Sequence, residues 1–221
     1  MSKRLLVTAA LMILGFAPSA EAQKVEVSGI FGWTLSDGVT GQPVLAGDGN
    51  LYDTVDVKDS ASWGFSLGVN ATEQVEVGFL YGQQMSALAI EGTRVRDIGD
   101  MKINTYHPYL AYNLGDSSST VRPYVMIGVG ATNYGAVAFT AANGQARETG
   151  SETQFSTTWG AGVKMFPSPN VGVRFGAQWT PTYIKTDAAG YWCDPYWGCY
   201  VVGDAQYSNQ FQFNGGIVFR F

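Results

Sequence analysis

The chain has little of what most catalytic and metal sites are made from. Its 221 residues include one histidine and two cysteines, so Cys193 and Cys199 lack the further ligands that a zinc site requires. Lysine is scarce, charged residues are 14% of the chain, and the formal net charge is −5. That balance leaves no basic surface for a nucleic-acid partner. After the N-terminal stretch, no apolar run is long enough to span a bilayer as a helix. Glycine pairs such as Gly128-Val129-Gly130 are not followed by the Lys-Ser/Thr of a phosphate-binding loop. No cofactor is implied.

What remains is glycine and aromatic rings: 28 Gly, 12 Tyr, 12 Phe and 6 Trp, in a chain whose mean hydropathy is near zero. The composition favours β structure and is unusual for a soluble acidic domain. The N-terminus sets the compartment. Lys3 and Arg4 precede an apolar run from Leu5 to Ala17, and Pro18 leads to Ala20-Glu21-Ala22. This pattern predicts a cleavable secretory signal over residues 1–22, cut between Ala22 and Gln23. No Cys stands at the junction, which argues against a lipid anchor. Loss of Lys3, Arg4 and Glu21 leaves residues 23–221 more acidic still, in one domain.

Period-2 alternation recurs along that domain. In one segment Trp63, Phe65, Leu67 and Val69 alternate with Ser62, Gly64, Ser66 and Gly68. Another sets Val171, Val173, Phe175, Ala177 and Trp179 against Gly172, Arg174, Gly176 and Gln178. Eight such segments of roughly ten residues are separated alternately by short and long connections. The short ones are 71–73, 114–120 and 167–170. The long ones are 35–61, 85–101, 136–153 and 183–207. The segment 102–113 has the weakest pattern, and its best register turns Tyr106, Pro108, Leu110 and Tyr112 to the apolar face.

The lumen of an eight-stranded barrel is only just filled by side chains. The apolar face carries about four bulky residues per strand, too many for that lumen, so it must point outward into lipid. The opposite face is rich in glycine, as a narrow interior requires. Trp33, Trp63, Tyr81 and Trp179 fall near the long-loop ends, and Tyr112 and Phe221 near the short-turn ends, as two aromatic girdles. The predicted fold is an all-β, eight-stranded antiparallel transmembrane barrel with short periplasmic turns and four long extracellular loops.

The C-terminal run Gly215-Gly216-Ile217-Val218-Phe219-Arg220-Phe221 resembles the last strand of outer-membrane barrels. In those proteins Ile217, Phe219 and Phe221 would correspond to the signal read by the barrel-assembly machinery. With the export signal and the eight segments, the chain resembles the small barrel family that includes the OmpA membrane domain, OmpX and OmpW. The resemblance implies a bacterial outer-membrane location and contact with outer-membrane lipid and lipopolysaccharide. It is weak for function, because the family includes adhesins, structural proteins and small-solute pathways.

Glu26, Glu76, Lys164, Arg174 and Arg220 share the inward parity and the periplasmic half. They are expected to form an ion-paired plug, with Arg174 or Arg220 as the partner of Glu76. The bland reading is charges kept from lipid; the sharper one is a gate. His107 is assigned inward. Lipid A deacylases use a His with a Ser two positions on, but Tyr109 stands there, so an ordinary lumen histidine is expected. In the first long loop Asp48, Asn50, Asp56 and Asp59 make a loose calcium pattern with Asp53 where the turn glycine belongs, so solvated acids are expected. Cys193 and Cys199 read as a disulfide in an oxidising compartment. The ring cluster around them, Tyr191, Trp192, Tyr196, Trp197 and Tyr200, is either self-packed or a surface for a sugar or host protein. The expectation is a non-enzymatic barrel with a structural and surface-interaction role, with a narrow channel for small or amphiphilic solutes as the alternative.

Overall fold

The alternation is realised as long antiparallel strands, because lipid offers no partner for a free N–H or C=O and every such group must be met by a neighbouring strand. The computed structural model describes residues 25–45, 50–116, 119–140, 146–184, 193–194, 198–199 and 206–221. In chain order the strands are β1 (Val25–Ser36), β2 (Val39–Leu45), β3 (Leu51–Val57), β4 (Ser60–Asn70) and β5 (Val75–Gly92). Next come β6 (Arg96–Asn113), β7 (Val121–Tyr134), β8 (Ala138–Thr140), β9 (Ala146–Glu148) and β10 (Glu152–Met165). Last are β11 (Val171–Ile184), β12 (Cys193–Asp194), β13 (Gly198–Cys199) and β14 (Gln206–Arg220).

Eight of these, β1, β4, β5, β6, β7, β10, β11 and β14, close a barrel, with β14 pairing back onto β1. The register can be followed round the wall from Val25 through Val69, Val77, Leu110, Ile127, Trp159, Trp179 and Phe211 to Leu35. The path returns ten residues further along β1 than it began. That stagger tilts the strands and fixes the narrow bore.

The outward face is bare. Phe31 is 69% exposed, Trp33 53%, Phe213 59% and Val129 54%. Inward neighbours such as Ser28, Ser66, Thr132 and Thr158 are buried. On β6 the faces are Tyr106, Pro108, Leu110 and Tyr112 outward, His107 and Tyr109 inward. Pro108 has no N–H for the ladder, and its pairing to β7 skips from Tyr106 to Tyr109. Near the outer rim Trp63, Phe65, Tyr81 and Tyr106 form a chain of ring contacts at 5.4–5.8 Å. The turns on the opposite side are tight. Thr72 Oγ1 accepts from Val75 N–H at 2.9 Å, and Gly115 takes φ 95°, which glycine adopts without strain.

The outer connections hold more strand than the alternation indicated. Residues 85–101 are largely continuations of β5 and β6, and β3 adds to the edge of β5. A second apolar cluster forms there, of Tyr52, Val55, Val57, Leu88, Ile90, Met101, Ile103, Tyr134 and Val137. Burial of these side chains gives the extension a core of its own above the lipid band. Lys58 ties it together, at 2.9 Å from Glu91 and 3.3 Å from Asp56. The Glu91 hydrogen bond, with Asp56 beside it, holds the Lys58 ammonium above its ordinary pKa.

Candidate functional site

Inward parity gathers charge at one end of the lumen. β1 and β5 rise from the short-turn end and bring Glu26 and Glu76, while β10 and β14 descend to it with Lys164 and Arg220. Lys164 Nζ lies 2.6 Å from Glu26 Oε2 and 2.5 Å from Glu76 Oε2, bridging the two acids. Arg220 reaches the other oxygen of Glu26 through Nε at 3.1 Å and Nη2 at 3.0 Å. Its guanidinium also lies 3.6 Å from the centre of the Phe166 ring. The base on Glu76 is therefore Lys164, and not Arg174 or Arg220. Lys164 stands opposite Arg122 of β7 in the wall, and its ammonium spans both acids.

Arg174 stands apart from the acids. It donates to Tyr124 Oη at 2.7 Å and Ser66 Oγ at 3.2 Å. Around Glu76, Tyr109 Oη donates to Oε1 at 2.6 Å and Asn113 Nδ2 to Oε2 at 3.3 Å. A fourth base belongs here as well. Arg122 is wholly buried, 3.5 Å from Glu26, and donates to the Glu73 carbonyl at 2.7 Å. Its signal in the sequence is parity with Tyr124 on β7; Pro123 beside it makes the segment read as turn.

Above the charges lies an apolar belt of Ile30, Leu80, Tyr109, Ala111, Tyr124 and Met126. Above that the lumen is uncharged and polar, with a cavity of about 40 Å³ among Thr34, Ser62, Gln84, Gln178, Gln210 and Gln212. The space suits a few waters. On the far wall His107 Nε2 is 2.9 Å from Ser156 Oγ, which accepts from Thr132, itself bonded by Thr182 at 3.0 Å. Ser156 is a partner 49 residues away that local sequence does not reveal. Among the described residues His107 Nδ1 has no partner, so none of them orients the ring as the third group that a nucleophile–base pair requires.

Asp53, Asp56 and Asp59 of the first long loop are engaged with protein groups. Asp56 meets Lys58, and Asp59 accepts from Ser36 N–H at 2.9 Å; Asp48 lies outside the described residues. Cys193 and Cys199 face each other in the β12–β13 ladder, while their side chains lie outside the described set. So do the expected signal with Ala22 and Gln23, and the rings Tyr191, Trp192, Tyr196, Trp197 and Tyr200. Ile217, Phe219 and Phe221 are exposed on the outer face of the last strand and its end.

The family model for the outer membrane protein β-barrel domain matches residues 6–221. The chain belongs to that family. It is a protein of the bacterial outer membrane, and the bare apolar face is its lipid contact. Among solved structures this barrel is similar to the outer membrane protein OprG from Pseudomonas aeruginosa, at 14% identity and TM-score 0.65 over 91% of this chain and 97% of that one. It is also similar to outer membrane protein AlkL, at 15% identity and TM-score 0.52 over 93% and 94%. Neisserial surface protein A aligns at 12% identity and TM-score 0.51 over 90% and 96%. At these identities the likeness is one of fold. No curated protein matches the sequence.

Proposed function

We propose that the protein is a non-enzymatic outer-membrane barrel with a closed lumen, which braces the envelope and presents its long loops at the cell surface. The observation that carries this reading is the ion-paired floor. Glu26, Glu76, Lys164, Arg174, Arg220 and Arg122 are each buried and gather in the bore at its periplasmic end. Intramembrane charges either pair internally or line a pathway, and the contacts favour pairing. The orphaned Nδ1 of His107 speaks against acyl-transfer chemistry.

Residues 1–22 serve as the export signal, and the last strand is read by the barrel-assembly machinery through Ile217, Phe219 and Phe221. Cys193 and Cys199 form a disulfide, since paired positions across an antiparallel ladder lie within the Cα range a disulfide needs. The rings around them would be the contact surface for a ligand. A second reading, a narrow path for small or amphiphilic solutes, draws on the polar cavity above the floor. Single-channel recording of the refolded barrel in a planar bilayer separates the two. The expected result is no resolved conductance; steady openings in the wild-type protein would favour the pathway and reject the closed barrel.

A further inference from the structure

Among the described residues the floor is not electrically balanced. Two carboxylates, Glu26 and Glu76, face four cations, Lys164, Arg122, Arg174 and Arg220, and all six are buried. Glu73 and Asp116 stand nearby on the turns, but both are exposed. Guanidinium groups cannot shed the excess by losing a proton. An unpaired charge in a membrane lumen is costly and calls for a counter-charge.

The excess is localised. Among the described residues Arg174 forms no ion pair; its hydrogen bonds go to the neutral oxygens of Tyr124 and Ser66, and its guanidinium lies 5.2 Å from the centre of the Tyr124 ring. It is 5% exposed, and its Nε–H has no acceptor among the described residues. Beside it is a cavity of about 10 Å³ with apolar walls from Leu80, Ala111 and Met126 and a polar side formed by Arg174, Lys164, Tyr124, Tyr109, Ser66 and Glu76. That space holds one water-sized particle. Tyr124 Oη accepts from Arg174, so its own proton is free to donate. The carboxylate on this wall is already engaged, since Glu76 receives Lys164, Asn113 and Tyr109.

We infer that the cavity beside Arg174 is a binding site for one small monovalent anion of halide size, held by the Arg174 guanidinium and the Tyr124 hydroxyl. The ion would offset part of the floor's excess positive charge and couple barrel stability to halide.

The test compares refolded wild-type protein in sodium bromide and in sodium gluconate at equal ionic strength, because gluconate is too large for the cavity. Bromide is expected to raise the thermal midpoint by about 2–4 °C. Arg174→Gln is expected to abolish that difference. Tyr124→Phe, which removes the hydroxyl (a donor to the ion and the acceptor from Arg174) and no charge, is expected to weaken bromide binding about tenfold and decides the matter if Arg174→Gln does not fold. Crystals of the wild-type protein grown in bromide should show an anomalous peak beside Arg174. Equal midpoints in the two salts, a bromide effect undiminished in Tyr124→Phe across a bromide titration, or water alone in the cavity would overturn the assignment.

Discussion

Replacing Glu76 and Glu26 one at a time by glutamine tests whether the floor is a network with a hub. Glu26 is the hub: Lys164, Arg220 and Arg122 all approach it, at 2.6, 3.0 and 3.5 Å. Glu76 shares only Lys164, which keeps Glu26 when Glu76 is neutralised. Breaking a buried pair from one side costs about 3–5 kcal/mol. Glu76→Gln leaves Lys164 still paired and retains an acceptor for Tyr109, so its cost belongs near about 3 kcal/mol. Glu26→Gln takes the Glu26 carboxylate from both Arg220 and Arg122 and belongs near about 5 kcal/mol. Equilibrium urea unfolding in lipid vesicles, followed by tryptophan fluorescence, reads both. Entry of water would shrink each loss and appear instead as ion conductance in a planar bilayer. Wild-type stability and conductance in both variants would refute the buried network. A larger loss for Glu76→Gln than for Glu26→Gln would refute the hub.

In a background lacking Cys193 and Cys199, cysteines placed at Asp56, Gly144 or Asp187 should label on intact cells, whereas those at Ser118 or Ser168 should label only after the outer membrane is opened. The reverse pattern would invert the topology. Deleting Phe221 should reduce assembled barrel, measured as the heat-modifiable band on gels, and unchanged yield would remove the last strand's role in recognition. Reduction of the proposed Cys193–Cys199 bond should cost about 2 kcal/mol in the chain-entropy model; identical unfolding midpoints with and without reductant would show that the bond contributes nothing.

Much of the wall was legible because lipid imposes a simple rule. Every outward position within the hydrocarbon must be apolar, so Trp63, Phe65, Leu67 and Val69 announce both a strand and its facing. Parity then brings Glu26, Glu76, Lys164, Arg174 and Arg220 into one bore. Contact partners were not legible, since they depend on which strands face across the lumen. Parity alone does not tell that Lys164 bridges both acids while Arg174 bonds only Tyr124 and Ser66. The extracellular extension was hidden for another reason. The β5–β6 pairing shifts register between Leu88 and Ala89, and a bulge of this kind breaks period-2 alternation. In β3, Asp53 and Asp56 interrupt the apolar run of Leu51, Tyr52, Val55 and Val57. Lipid no longer constrains either segment, and their burial comes from packing on each other.

The bore also explains where glycine must stand. A lumen this narrow holds Tyr109 and Tyr124 only if the strands beneath their rings carry no side chain. A Cβ on Gly68 would come 2.7 Å from Tyr109 Oη and would strike the Glu76 carboxylate, and one on Gly176 would come 2.7 Å from Tyr124 Oη. Gly29, on the lipid face, has nothing within 4 Å of such a Cβ. Two alanine substitutions with the same local chemistry should therefore differ in outcome. Gly68→Ala overpacks the floor and should cost about 1–3 kcal/mol, whereas Gly29→Ala should be neutral or stabilise by up to about 1 kcal/mol through the unfolded state. Tyr109→Phe removes one of the two clashing oxygens, so Gly68→Ala should cost less in that background than in the wild type. Unfolding of the four proteins in urea forms the cycle, with Gly29→Ala as the outward control. If the two glycine variants lose stability equally, strand propensity and not lumen volume is what places the glycines.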